Sequence, residues 1–177
     1  MTSTPTGNGF LMISGNGAVV GCGDATYSGG LDSQILAAPV VGIAATVDGK
    51  GYWLVGADGG VFAFGNAPFE GSLGGTHLNA PVVGIAPTRD DKGYWLVASD
   101  GGVFAFGDAA FHGSMGNTSL HAPVVGIAAT PDGAGYWLAA ADGGVFSFGS
   151  APFEGSMGGT HLNAPVVGIA TFAPQAA

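Results

Sequence analysis

The chain is a fourfold repeat. Gly9, Gly51, Gly93 and Gly135 open four units spaced by 42 residues, 9–50, 51–92, 93–134 and 135–176, with no insertion or deletion between them. Units two to four share GYWL, then a DGG, then VFAFG or VFSFG, and the first unit keeps the skeleton in worn form as GFLMIS-GNG-AVVGCGDA. Each unit ends on a second signature, AAPVVGIAATVDGK, NAPVVGIAPTRDDK, HAPVVGIAATPDGA and NAPVVGIATFAPQA. A fixed period near 40 restricts the fold to like supersecondary units, each burying its apolar surface on its neighbours.

The third unit shows what one period encodes. Tyr94-Trp95-Leu96-Val97 has the aromatic and branched composition of a strand. Asp100-Gly101-Gly102 follows, and Asp-Gly between two such runs signals a hairpin whose turn needs a positive φ that Gly supplies. Val103-Phe104-Ala105-Phe106 returns, Gly107-Asp108-Ala109 turns again, and Phe111 to Met115 is expected as a short third strand. Val-Val-Gly-Ile-Ala supplies a fourth, small in volume and interrupted by Gly42, Gly84, Gly126 and Gly168. No apolar stripe recurs at helical spacing.

Four short strands in each period of this length predict an all-β fold, a β-propeller of four four-stranded blades. The Val-Val-Gly-Ile-Ala strand goes innermost, where the axis is crowded, and the large rings of the next two strands fill the widening gap between blades. The Phe-Glu-Gly-Ser strand is then the outer edge. The first unit begins at its second strand, Gly9–Ser14, so Pro165–Thr171 is expected to pair with it and close the ring. On this reading Met1–Asn8 is a linker and residues 9–176 form one domain in a monomer. Two chains pairing through the same end strands into an eight-bladed ring are the alternative.

Composition narrows the function classes. Thirty-five glycines at matching points of a repeat mark tight turns, not disorder. The net charge of −9 sets twelve acidic residues against Lys50, Arg89 and Lys92. Three cations cannot track a phosphate backbone or an anionic membrane, so neither nucleic acid nor a membrane is an expected partner. No apolar run approaches a membrane span, and no charged-then-apolar leader is read at the start. The single cysteine, Cys22, stands in the column of Phe64, Phe106 and Phe148, and is expected as a buried core thiol without a disulfide.

With these motifs in hand, the repeat resembles the GYWLVASDGGVFAFGDA-type tandem repeats of surface and secreted proteins of actinobacteria. The match covers residues 51–172 well and 9–50 loosely. The resemblance implies a non-catalytic appendage in an extracellular or cell-wall setting. The Asp-box of sialidase-type propellers is not matched, because no Thr-Trp follows the Asp-Gly-Gly turns.

Candidate chemistry falls on one face, where the second-to-third-strand turns and the loops entering the next inner strand would meet. It would present Asn16, Asp58, Asp100 and Asp142 together with loops 74–80, 116–122 and 158–164. The binding residues expected there are Thr76, His77 and Asn79, then Ser119 and His121, then Thr160, His161 and Asn163. Their amide, hydroxyl and imidazole groups suit the hydroxyls of a cell-wall glycan. They equally suit a repeated turn that satisfies its own backbone, on a scaffold with a protein partner and no small ligand. The four turn residues could ring a cation, but the Asp-Gly turn already accounts for them.

Catalysis is not expected. Glu70, His112 and Glu154 share a column, but opposite units hold the two carboxylates too far apart for a glycosidase pair. Ser72, Ser114 and Ser156 lack a His-Asp relay and read as turn residues. His77, His121 and His161 could approach a metal only by converging on the axis, so no metal or cofactor is assigned. The Gly-rich segments lead into strands, never a helix, which removes the nucleotide-binding fingerprints.

Overall fold

The computed structural model of the protein describes residues 1–171. They form twelve strands: β1 (Thr2–Ser3), β2 (Phe10–Ile13), β3 (Val19–Cys22), β4 (Val40–Ala45), β5 (Gly51–Gly56), β6 (Val61–Gly65), β7 (Val82–Pro87), β8 (Gly93–Ala98), β9 (Val103–Gly107), β10 (Val124–Ala129), β11 (Gly135–Ala140) and β12 (Val145–Gly149). Consecutive triplets make four antiparallel three-stranded sheets, β1-β2-β3 to β10-β11-β12. In the last three the strand order is the one read from the repeat, with Val-Val-Gly-Ile-Ala beside Tyr-Trp-Leu and Val-Phe-Ala-Phe or Val-Phe-Ser-Phe beyond it.

The sheets stack face to face through an interface made three times. Period-two alternation sends Trp95, Val97 and Val103 toward the following sheet, where they meet Tyr136 and Leu138, with Phe146 and Phe148 packed alongside. Trp53, Val55 and Val61 meet Tyr94 and Leu96 in the same way. The smaller Leu11 and Val19 meet Tyr52 and Leu54. Trp53 and Trp95 are 0% exposed. Their rings lie 5.8 Å from Tyr94 and 5.5 Å from Tyr136, tilted as aromatic pairs prefer.

The inner strands β4, β7 and β10 pack side by side. Their glycines permit this: a Cβ on Gly84 would come within 3.3 Å of Val97 and 3.5 Å of Ile127, and one on Gly42 within 2.8 Å of Val55. Each inner strand also carries a bulge next to that glycine.

Four expectations are corrected. The segments with Phe69-Glu70-Gly71 and Phe111-His112-Gly113 are not a fourth strand, because their backbone groups bond to side chains instead. The Trp53 indole donates to Pro68 O at 2.6 Å, and the Tyr94 hydroxyl donates to Gly71 O at 2.6 Å while accepting the Glu70 N–H. Trp95 and Tyr136 hold Ala110 and Gly113 in the same fashion. The crossover is therefore strapped between a tryptophan of its own unit and a tyrosine of the next. It lies so close to the next sheet that a Cβ on Gly71 would fall 2.6 Å from the Phe106 ring.

Met1–Asn8 is not a linker but the end of a repeat. Thr4 and Gly7 stand where Thr46 and Gly49 stand one period later, and Thr2 and Ser3 pair with Leu11 and Phe10 as an inner strand.

The ring is not closed by Pro165–Thr171. Thr2–Ser3 already holds the edge of β2 that this segment was expected to take. The segment instead continues the stack: Val166 N–H donates to Ala141 O at 2.9 Å, as Val124 N–H does to Ser99 O at 2.8 Å, and Ile169 approaches Gly126. Among the described residues no strand of the first sheet touches one of the fourth. Positions 172–176 of the last unit lie outside the described residues.

Cys22 is half-buried rather than buried, as are Phe64, Phe106 and Phe148 in the same column, which lies on the outermost strand of each sheet.

Candidate functional site

Both edges of the stack are polar, and the repeat builds them differently. At the edge holding the hairpin turns, each Asp caps its own turn. Gly102 N–H donates to Asp100 Oδ1 at 2.9 Å and Gly144 N–H to Asp142 Oδ1 at 2.9 Å, while Gly101 and Gly143 adopt φ of 82° and 81°. One oxygen of each of these carboxylates is therefore engaged in its own turn.

Ser72 and Ser156 anchor the loops that follow. Ser72 Oγ accepts from Val61 N at 3.2 Å and Gly74 N at 3.0 Å and lies 3.3 Å from Gly59 O. Ser156 repeats these bonds to Val145, Gly158 and Gly143. Their turn role agrees with the sequence.

Two further backbone bonds clamp each loop at its ends, Leu73 to Gly59 and Val82 to Ala57, Met115 to Gly101 and Val124 to Ser99, Met157 to Gly143 and Val166 to Ala141. The loop tips project beyond these clamps. Thr76, His77, Asn79, Ser119, His121, Thr160, His161 and Asn163 are all exposed there. Among the described residues none of the eight side chains makes an intramolecular hydrogen bond. The loops satisfy their backbone through Ser72, Ser156 and the clamps, leaving these side chains free.

Ser119 and His121 share a cleft of about 270 Å³ with Asp142, Ser156 and Gly158, between the third unit's loop and the fourth unit's turn. His77 and His161 lie on other loops. Among the described residues no three of His, Cys, Asp and Glu gather at metal-ligand reach. Glu70, His112 and Glu154 sit in successive crossovers and do not converge. His112 packs on Trp95 and Tyr136, with ring centroids 6.4 and 5.7 Å away.

The opposite edge carries a network that the sequence reading passed over. Thr46 is 2% exposed; its hydroxyl accepts from Gly51 N at 3.0 Å and bonds Asp48 at 2.9 Å, and Asn66 donates to the same carboxylate at 2.9 Å. Thr130 with Asp132 and Ser150 repeats it, and Thr88 bonds both Asp90 and Asp108 without a bond between the two carboxylates. Thr4 with Thr6 and Asp24 supplies the version in the first unit. The signal was a Thr five residues before the Gly that opens each unit, followed two residues on by Asp48, Asp90 and Asp132, and by Thr6 after Thr4. The backbone N–H of Lys50, then the Asn66 amide and the Thr46 hydroxyl, hold the Asp48 carboxyl down at about 2. Hydrogen bonds from Thr6 and Thr4 lower Asp24, and the Lys92 side chain chiefly lowers Asp90. Bonds from Thr130, Ala134 and Ser150 lower Asp132.

No family model matches the chain, and no curated protein matches its sequence. Among the described residues no helix is long and apolar enough to cross a membrane.

Proposed function

We propose that the chain is a non-catalytic binding and display module whose hairpin-turn edge takes carbohydrate, with cell-wall glycans as the ligand class. The observation that carries this reading is the set of exposed, hydrogen-bond-free Thr, Ser, His and Asn side chains on rigidly clamped loops. Sugar hydroxyls need donors and acceptors held in fixed positions, and a side chain already spent on its own turn could offer neither. The cleft beside Ser119 and His121 adds a wall for a sugar ring. The sheets are read as propeller blades, supported by the side-by-side packing of β4, β7 and β10. The non-catalytic part is supported by the commitment of Ser72 and Ser156 to turns and by the separation of Glu70 from Glu154 by a whole unit.

A glycan array and sedimentation with purified cell walls test the reading. Retention is expected, falling at least about tenfold in a Ser119→Ala/His121→Ala variant and in a His77→Ala/His161→Ala variant. A blank array together with unchanged sedimentation of both variants overturns it. A protein-interaction scaffold is the second reading, favoured by the exposed apolar side chains at the two ends of the stack. An extracellular or cell-wall location belongs to the same proposal and rests on the resemblance of the repeat.

A further inference from the structure

The interface between successive sheets forms three times, and both of its halves remain open once. The fourth sheet points Trp137 away from the stack, half-buried where Trp53 and Trp95 are 0% exposed. Met157 beside it is 50% exposed, where its equivalents Leu73 and Met115 are half-buried. The first sheet points the opposite half outward: Phe10, Met12 and Val20 stand in the columns of Tyr52, Leu54 and Phe62 and are 38%, 41% and 53% exposed. Two glycines mark the missing neighbour. A Cβ on Gly155 or Gly168 would meet nothing within 4 Å, whereas their equivalents Gly113 and Gly126 abut the Phe148 ring and Ile169.

The backbone is open in matching fashion. Segment 166–171 repeats the inner strands β4, β7 and β10 but has no Tyr-Trp-Leu strand to pair with. β2 is such a strand, and among the described residues its inner edge is held only by Thr2 and Ser3.

We infer that the chain joins head-to-tail with a second copy of itself, the Trp137 face of each covering the Phe10, Met12 and Val20 face of the other. Segment 166–171 of one copy replaces Thr2–Ser3 on β2 of the other. Transposing the register of β4 on β5 puts Ile169 opposite Met12, Ala170 opposite Leu11 and Thr171 opposite Phe10. A longer strand thereby replaces a two-residue one, and the exchange is an end-strand swap. The occupant is a second copy because the junction continues an interface this sequence already makes with itself, and because the two halves do not meet within one chain. The interface is heterologous, and two such junctions, one at each end of the described stack, join a pair of chains into a closed dimer. The junction would also set loop 158–164, with Thr160, His161 and Asn163, against the Asn16 turn of the other copy, as loop 116–122 meets Asp142. The inference stands on the repeat alone and survives a failure of the glycan reading.

Light scattering behind a sizing column tests it. The expected mass is twice the chain's 17.2 kDa at micromolar concentration. Trp137→Glu and Met12→Glu should each give single chains, with association weakened about a hundredfold or more. Mixing the two variants should restore a dimer, because one intact junction then forms. A two-fold contact of like faces would leave one variant dimeric and give no rescue. A single-chain mass for the wild type at every concentration, a mass that grows without limit, or two variants that stay dimeric overturns the inference. Should a glutamate variant fail to fold, acrylamide quenching of the wild type decides: Trp137 alone should lose accessibility as concentration rises, and quenching that does not change with concentration counts against the junction.

Discussion

The same residue type does different work in different units, and that makes single substitutions informative. Trp95→Ala should lower stability by about 3–5 kcal/mol, since it empties a sealed core and releases the Ala110 carbonyl. Trp137→Ala should lower it by less than half as much in dilute solution, because one face of that ring meets water. Chemical denaturation of the two variants side by side checks this. Gly101→Val should lower stability by more than about 2 kcal/mol. A branched residue resists a φ of 82°, and its Cβ would fall 2.6 Å from Met115 Cβ. Thr88→Val keeps the shape but strands the Gly93 N–H, and a loss of about 1–3 kcal/mol is expected.

At the scale of the element, hairpins, strand order and the small inner strand were legible because they are written locally. The Asp-Gly turns, the Tyr-Trp-Leu runs and Gly84 each specify their own backbone. The crossover was not legible as a strap. Phe-Glu-Gly-Ser has strand composition, and only the next unit reveals that Trp53 and Tyr94 take its hydrogen bonds. The Thr-Asp network was hidden in a turn signature, although its column runs through Thr46, Thr88 and Thr130 and back to Thr4. The eight loop residues were found by their polarity, but their freedom from intramolecular bonds depends on clamps that only the fold forms.

This network sets the acid limb of stability. The carboxyls of Asp24, Asp48, Asp90 and Asp132 titrate below their unfolded value of about 3.9, so their stabilisation is full above that value and is lost as pH falls through their lowered folded values, about 2 for Asp48. Burial raises Tyr52, Tyr94 and Tyr136 above their unfolded value of about 10. The unfolded chain then ionises first, and stability should fall as pH rises past about 10. Thermal melts followed by circular dichroism should show both limbs, with a further rise in stability as pH climbs toward about 8, because burial lowers the Met1 amine; melting that does not change on acidification below about 3.9 would contradict the assignment.

Among the described residues the first and fourth sheets each leave one apolar face uncovered, the kind of face that repeat proteins ordinarily cap. The expectation of a ring sealed within the chain failed for a reason visible in the repeat columns. Met1–Ser3 and Ile169–Thr171 are both versions of the same three inner-strand positions, and only one of them can occupy β2. Amide exchange across segment 166–171, followed by mass spectrometry over a range of protein concentrations, is the most direct measurement of whether this open strand is one half of a junction. The account predicts rapid exchange in dilute protein and protection matching residues 82–87 once the chains associate. Equal protection at every concentration, or none at any, would contradict it.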